Sequence, residues 1–425
     1  MRLKWPSVDY CKNVVMAHNP RISDHEFSQL GVPSTQAYFL QHFAKNISRI
    51  ALAMDYDGNG YRRLLKAAIN DELLLQSILA VTISHHSRWQ QQSSLDESRV
   101  HHHQALIQLR NRLQDPVMAC SENTLAAMMF LISYEVFNGS NRWRRHHAGV
   151  MAWIQTFGHT TVVDSFLKTW FSMINTQSAL NAGVAILPQV EAWLSRPSSI
   201  TQRTPAIDSF FGCSTDLPNL MLKAARLYST MRSTERTDAP LPERLWLQLE
   251  QLQAELAAIK IDLNDTPPFS LACDNTDPRL SPIQYLTNQE IATRATAVAE
   301  IFRHATLVYT IRTMHAPAAI QHPEILKSVE IVVQLLPQVP DVVGPGSNLG
   351  WAFVVIGAEL DAIEQREYFR GRLHSLRSLA IQNVASGELI LEEVWRNRDA
   401  ARLEEAKYRR WQEVMQDLEV EQILI

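Results

Sequence analysis

Cys120-Ser-Glu-Asn-Thr-Leu-Ala-Ala-Met-Met-Phe-Leu-Ile-Ser-Tyr-Glu-Val-Phe-Asn-Gly-Ser-Asn-Arg-Trp-Arg-Arg-His-His-Ala-Gly-Val-Met-Ala-Trp-Ile-Gln-Thr-Phe-Gly158 is the stretch whose reading decides the fold. From Leu125 to Phe137 it is apolar almost all the way round, with Ser133 and Glu135 the strongly polar interruptions. A helix of that kind belongs inside a sizeable protein, and it is too short to cross a membrane. Asn138-Gly139-Ser140 predicts a stop: Asn and Gly tolerate the left-handed conformation that ends helices, and Ser is a ready N-cap for the next one. Trp143, His147, Val150, Ile154 and Phe157 then recur at three- and four-residue spacing, one face of a second helix. The expectation is a helical hairpin around which the rest of the chain packs.

Working outward, the chain has 425 residues, of which only 14 are Gly. Sparse Gly with long Ala/Leu-rich runs argues against an all-β architecture, whose turns demand it, so the fold class expected is all-α: a compact multi-helix domain of hairpins packed around two buried apolar helices. Forty Lys and Arg against 44 Asp and Glu give a net charge of -4. The chain lacks the basic excess of a dedicated nucleic-acid binder, and no direct nucleic-acid contact is expected. Cys11, Cys120, Cys213 and Cys273 contain no CxxC pair, which excludes a zinc cluster or dense disulfide scaffold built from them. Met1 to Pro20 has no apolar signal core, and no window reaches membrane-spanning length, so no membrane association is expected.

Residues 1–33 read as an irregular opening, followed by an all-helical region, 34–425, with sub-lobes 34–231 and 287–425 joined through a turn-rich connection, 232–286. Pro33-Ser34-Thr35 opens a helix with Phe39, Phe43, Ile47, Ile50 and Met54 on one face, ending at Asp55. Asp55-Tyr-Asp-Gly-Asn-Gly60 imitates the start of a calcium loop, but Lys66 stands where the bidentate Glu belongs, so a turn between helices is the better reading. Leu64 to Ser87 predicts one apolar helix ending in His85-His86. His101-His102-His103 opens the next, and adjacent helical residues point about 100° apart, so three in a row cannot converge on one ion. Capping and ring packing account for them better, and no metal, cofactor or catalytic residue is assigned.

Further on, helices are expected within Ser165–Leu194, Leu217–Met231, Pro242–Ile261, from the Thr287-Asn-Gln-Glu290 capping box onward, and from Pro323 to Leu336. Cys213, in Asp208-Ser-Phe-Phe-Gly-Cys-Ser214, has no neighbouring base and reads as a buried thiol rather than a nucleophile. Trp351 to Glu359 is the second all-apolar helix and is expected to continue through Arg366 to Leu373. Glu359 and Arg366, seven apart, would then share one side, with Glu359 a buried carboxylate paired to an Arg of its own or a neighbouring helix rather than a catalytic acid. A last helix is expected over Glu388–Leu418, with Arg409-Arg410-Trp411 on a solvated face balanced by Glu404, Glu405 and Glu413.

The hairpin with Trp143, His147 and Gly149, the Phe211-Gly212-Cys213 turn, the run from Trp351 to Arg366, and Trp395 near the end occur in an order that resembles the regulatory domain of fungal zinc-cluster transcription factors. Leu3-Lys4-Trp5 resembles the segment just downstream of the cluster in that family. The resemblance implies a compact helical regulatory body, nuclear location and control of a metabolic or secondary-metabolite gene set. It also implies protein partners from the transcription machinery or a DNA-binding factor, and in some members a small-molecule effector. The six clustered cysteines that would read base pairs are not in this sequence. Action through partners, or as part of a zinc-cluster factor, is therefore expected, with Arg142, Arg144 and Arg145 either a solvated turn, the commoner case, or cations kept for an anionic partner or effector. The competing expectation, with a cytoplasmic location, is a repurposed helical scaffold that binds or converts a metabolite. No nucleophile elbow, phosphate-cradling loop or dinucleotide fingerprint supports it.

Overall fold

The computed structural model describes residues 33–53, 59–90, 96–195, 208–236, 243–259, 288–318, 322–340, 344–377, 379–403, 407–420 and 423. The expectations for residues 1–32, the acidic positions of the calcium-like loop, the Thr287 capping box, Cys11, Cys273, Glu404 and Glu405 lie outside them. Among the described residues the protein is helical throughout with no strand, the all-α class read from the sequence.

The chain begins with α1 (Ser34–His42), prolonged by a π-helical turn at Phe43–Ile47. There follow α2 (Gly60–Ala68), α3 (Glu72–Trp89), α4 (Asp96–Arg112) and the single turn α5 (Pro116–Ala119). Then comes the hairpin, α6 (Glu122–Phe137) and α7 (Trp143–Phe157), and next α8 (Ser165–Ala182), α9 (Pro188–Leu194), α10 (Leu217–Arg236) and α11 (Glu243–Ala258). The remainder is α12 (Asn288–Met314), α13 (Pro323–Leu335), α14 (Gly350–Gly357), α15 (Ile363–Arg377), α16 (Asn383–Arg402) and α17 (Trp411–Asp417).

From Thr124 onward helix α6 is buried on every side except at Ser133, as its composition demands. Ser121 caps its start through Thr124 N–H, and Gly139, at φ 67°, ends it. Ser140 N–H reaches Glu135 O and Gly139 N–H reaches Val136 O, the paired bonds of a Schellman turn. Ser140 serves that turn and does not cap α7, which starts three residues later with no side-chain cap. Trp143, His147, Val150 and Ile154 are buried as the spacing requires, and Trp153 joins them by donating to Ala119 O at 2.7 Å.

Three helices expected to be continuous are broken. Leu64–Ser87 divides at Asn70-Asp71, where Asp71 accepts from Leu74 N–H and caps α3. Trp351–Leu373 divides after Gly357, and residues 358–362 turn the chain before α15. Glu388–Leu418 divides before Arg410, the N-cap of α17. In each case a local capping or turning group outcompetes the apolar periodicity.

One hydrophobic cluster runs without interruption from Leu40 to Ile423 and takes in α6, α8, α12, α14 and α16. Main-chain and side-chain bonds tie the first half to the second: Gln382 N–H donates to Phe137 O at 3.0 Å, Tyr309 Oη to Leu180 O at 3.4 Å, and Asn348 Nδ2 to Phe210 O.

Candidate functional site

Where the two halves meet, the structure encloses a small, largely apolar cavity, with about 50 Å³ of room for the centre of a water-sized sphere. From the first half it is walled by Ile47, Tyr61, Phe130, Phe137 and Trp170, and from the second by Leu376, Leu379 and Val384. Ser133, Ser347, Asn348 and Asn383 supply its polar points. Beyond its first two residues, Ser133 is the one position of α6 that is not fully buried, and it faces this space. Asn383 donates to Ile423 O at 2.8 Å, and its Oδ1 is buried with no hydrogen-bond partner. Such an acceptor costs free energy until a donor reaches it.

The residues singled out from sequence surround this space as its supports. His147 is buried, stacked on Phe171 with centroids 5.6 Å apart, edge-on to Trp143 and 3.4 Å from Ser178 Oγ. Burial lowers its pKa to about 4, with Arg144's charge adding and a hydrogen bond with Asn175 opposing. It is a neutral packing residue. Cys213 is fully buried and burial pushes its thiol well above the usual range, with Asp208's charge adding, so it is no nucleophile. Asp208 instead organises the turn by accepting from the N–H groups of Phe210 and Phe211.

Glu359 is buried and takes a two-pronged bond from Arg312 of α12, at 2.7 and 2.6 Å, with Arg398 of α16 at 3.5 Å. The sequence reading of a paired carboxylate is right, and its partners come from neighbouring helices. Arg366 does not share a helix with Glu359, which lies in the 358–362 turn. It bonds Asp399 at 2.7 and 2.9 Å and reaches Leu360 O at 3.1 Å. Arg410 is also not on a solvated face: it is buried, 3.3 Å from Glu235 and 3.6 Å from Glu413, because α17 packs inward on buried Trp411. Of the arginine triplet, Arg142 and Arg145 are exposed, whereas Arg144 lies over the Trp143 ring at 5.5 Å.

Sequence reasoning passed over two histidine arrangements. His85 Nε2 lies 2.9 Å from Leu379 O, an acceptor only, so that nitrogen carries the proton. His85 Nδ1 therefore accepts from His42 Nε2 at 2.9 Å, and His42 Nδ1 accepts from Asn46 Nδ2 at 3.0 Å. Burial lowers the two pKa values to about 3 for His85 and about 2 for His42, where the charges of neighbouring histidines add to it. This neutral relay ends on a cavity-wall residue. The second arrangement joins His102 of α4, Glu135 of α6 and His146 of α7, whose ligand atoms all lie within 4.8 Å of one another. The triplet does diverge as helical geometry requires: His101 turns to Gln76 at 2.6 Å and His103 is exposed. Nothing within the triplet itself signals that its middle member meets residues of two other helices.

Compared with known families, residues 38–425 match the fungal specific transcription factor domain. The chain belongs to that family, a class of transcription regulators. No curated protein and no solved structure matches it. No described helix is long and apolar enough to cross a membrane.

Proposed function

We propose that this chain is the regulatory body of a fungal transcription regulator, working in the nucleus on a metabolic gene set through protein partners or a DNA-reading module, and set by a small effector held between its halves. The cavity carries the effector reading. It is apolar, lies at the junction of two long segments, and offers one unpaired buried acceptor, Asn383 Oδ1. Sites of that character bind small, mostly apolar molecules with a few oriented polar groups. The ligand class that fits is a compact apolar metabolite with one hydrogen-bond donor. By touching both halves it would favour the arrangement in which they are closed, and it can shift the equilibrium only by its difference in affinity for the two arrangements.

The exposed Arg142 and Arg145 mark the surface beside the hairpin turn as the partner-facing side, cations suited to an acidic segment of another protein. Cations at a helix N-terminus are mildly unfavourable with the helix dipole, so local stability does not account for them.

The test is a reporter fused downstream of a site for a heterologous DNA-binding domain to which the full chain is joined. Reporter output should change with the fusion, and reversing the charge of Arg142, Arg144 and Arg145 together should return it towards baseline. Ser133→Phe, which fills the cavity from α6, should abolish any dependence of output on growth medium while leaving the protein folded. An inert fusion would sink the regulatory reading. If deletion of the gene also left transcripts normal while a pathway intermediate accumulated, the metabolite-converting scaffold would replace it.

A further inference from the structure

We infer that His102, Glu135 and His146 form a binding site for a divalent transition-metal ion of the zinc class, clamping the hairpin turn to α4. His102 Nε2 is 3.6 Å and His146 Nε2 is 3.9 Å from Glu135 Oε1. Both spacings are too long for hydrogen bonds. In a tetrahedral zinc site with bonds near 2.0–2.1 Å, ligand atoms stand about 3.4 Å apart, so these two pairs need to close by only a few tenths of an ångström. Two imidazoles and one carboxylate are a donor set zinc favours, with water in the fourth position.

The second observation is the state of His102 itself. Its Nε2 is buried, aimed at the carboxylate and without a hydrogen-bond partner, a cost that a metal bond removes. The ring is held for the purpose by stacking on Tyr134, with centroids 4.2 Å apart and planes 13° from parallel. Glu135 is 4% exposed, in the last turn of a largely apolar helix, and the two histidine rings face its carboxylate. A carboxylate at that depth needs cations or donors around it, and Arg142, whose charge acts on His102, is itself exposed to water. Both histidine side chains keep 15% exposure, which gives the ion an entry path.

The ion would join three helices that are separate in sequence and fix the 138–142 turn, and with it the exposed arginines. This site owes nothing to cysteine and is distinct from the six-cysteine module of zinc-cluster factors. It also stands independently of the effector cavity.

The full chain, stripped with a chelator, is titrated with zinc chloride by calorimetry and with cobalt(II) chloride by visible absorption. One ion per chain should bind, with the intense cobalt bands of a four-coordinate site. Loss of partners outside the coordination sphere already costs ~10–100-fold in affinity, so His146→Gln and Glu135→Gln should each weaken binding at least ~10-fold, while His103→Ala leaves it unchanged. Because Glu135→Gln alters a buried residue, the partly exposed His146→Gln and His102→Gln decide the matter if it fails to fold. No saturable binding, or binding that survives His146→Gln and His102→Gln, would overturn the assignment.

Discussion

Glu359 is 6% exposed and faces Arg312 and Arg398, which are 9% and 3% exposed, so three charges share one dry junction of α12, α14 and α16. Removing Glu359 leaves buried Arg312 without its carboxylate, at a cost of about 3–5 kcal/mol, while Arg398 keeps Asp361 at 3.0 Å. Glu359→Ala should therefore shift the urea midpoint of unfolding strongly downward. A shift no larger than that of a surface Glu→Ala change would show that water screens the junction. The histidine relay gives a second test. His42 and His85 are neutral when folded but have ordinary pKa values near 6.5 when unfolded. As pH falls below 6.5 the unfolded chain takes up protons that the folded chain refuses, so stability is complete above that pH and declines below it. Each histidine should contribute a slope of about 1.4 kcal/mol per pH unit down to about pH 3. Urea midpoints measured from pH 7.5 to 4.5 should show the decline, and His42→Asn should reduce its slope by about one histidine's share, leaving those of His85 and His147. Glu359 was legible as a buried partner because a carboxylate follows an apolar run, but Arg312, 47 residues earlier, was not. Nothing local records a pairing over that distance.

At the scale of the element, apolar periodicity identified nearly every helix, and the failures share a cause. Periodicity reports which face is buried but is blind to a cap inside the run. Asp71 binds Leu74 N–H, Asn123 and Arg112 together, and these bonds favour a break at 70–71 over one continuous helix. The calcium-like loop has a similar explanation: Asn59 caps α2 through Tyr61 N–H and donates to Ser48 O, so its oxygen is already used. Gly60 follows because a Cβ there would lie 2.1 Å from the Phe166 ring. That ring is wedged among Tyr61, Trp170 and Phe210 and has no room to move. Gly60→Ala should accordingly destabilise the protein by about 1–3 kcal/mol through overpacking, read as a lower thermal midpoint. An unchanged midpoint would mean that α2 can slide away from α8.

For the whole molecule, the sequence suggests two lobes separated by a turn-rich connection, whereas the hydrophobic cluster passes from one to the other without a gap. The cavity lies at that junction, and its walls come from segments more than 300 residues apart, Ile47 and Leu379 for instance, so no reading of local pattern could have assembled it. The bonds across the junction, the buried ones of His85 to Leu379 O and Tyr309 to Leu180 O and that of Gln382 N–H to Phe137 O, would all break if either half unfolded alone. Unfolding one half would also bare the apolar faces of α6 and α14 to water, at ~25 cal/mol for each Å² exposed. Residues 34–425 should therefore unfold as a single cooperative unit despite their length. Tryptophan fluorescence and far-ultraviolet circular dichroism followed through one urea titration should superimpose, and Ser133→Phe, which fills the cavity, should leave them superimposed. Two resolved transitions would mean that the halves hold together weakly, and the effector would then act by drawing separate lobes together rather than by adjusting a closed body.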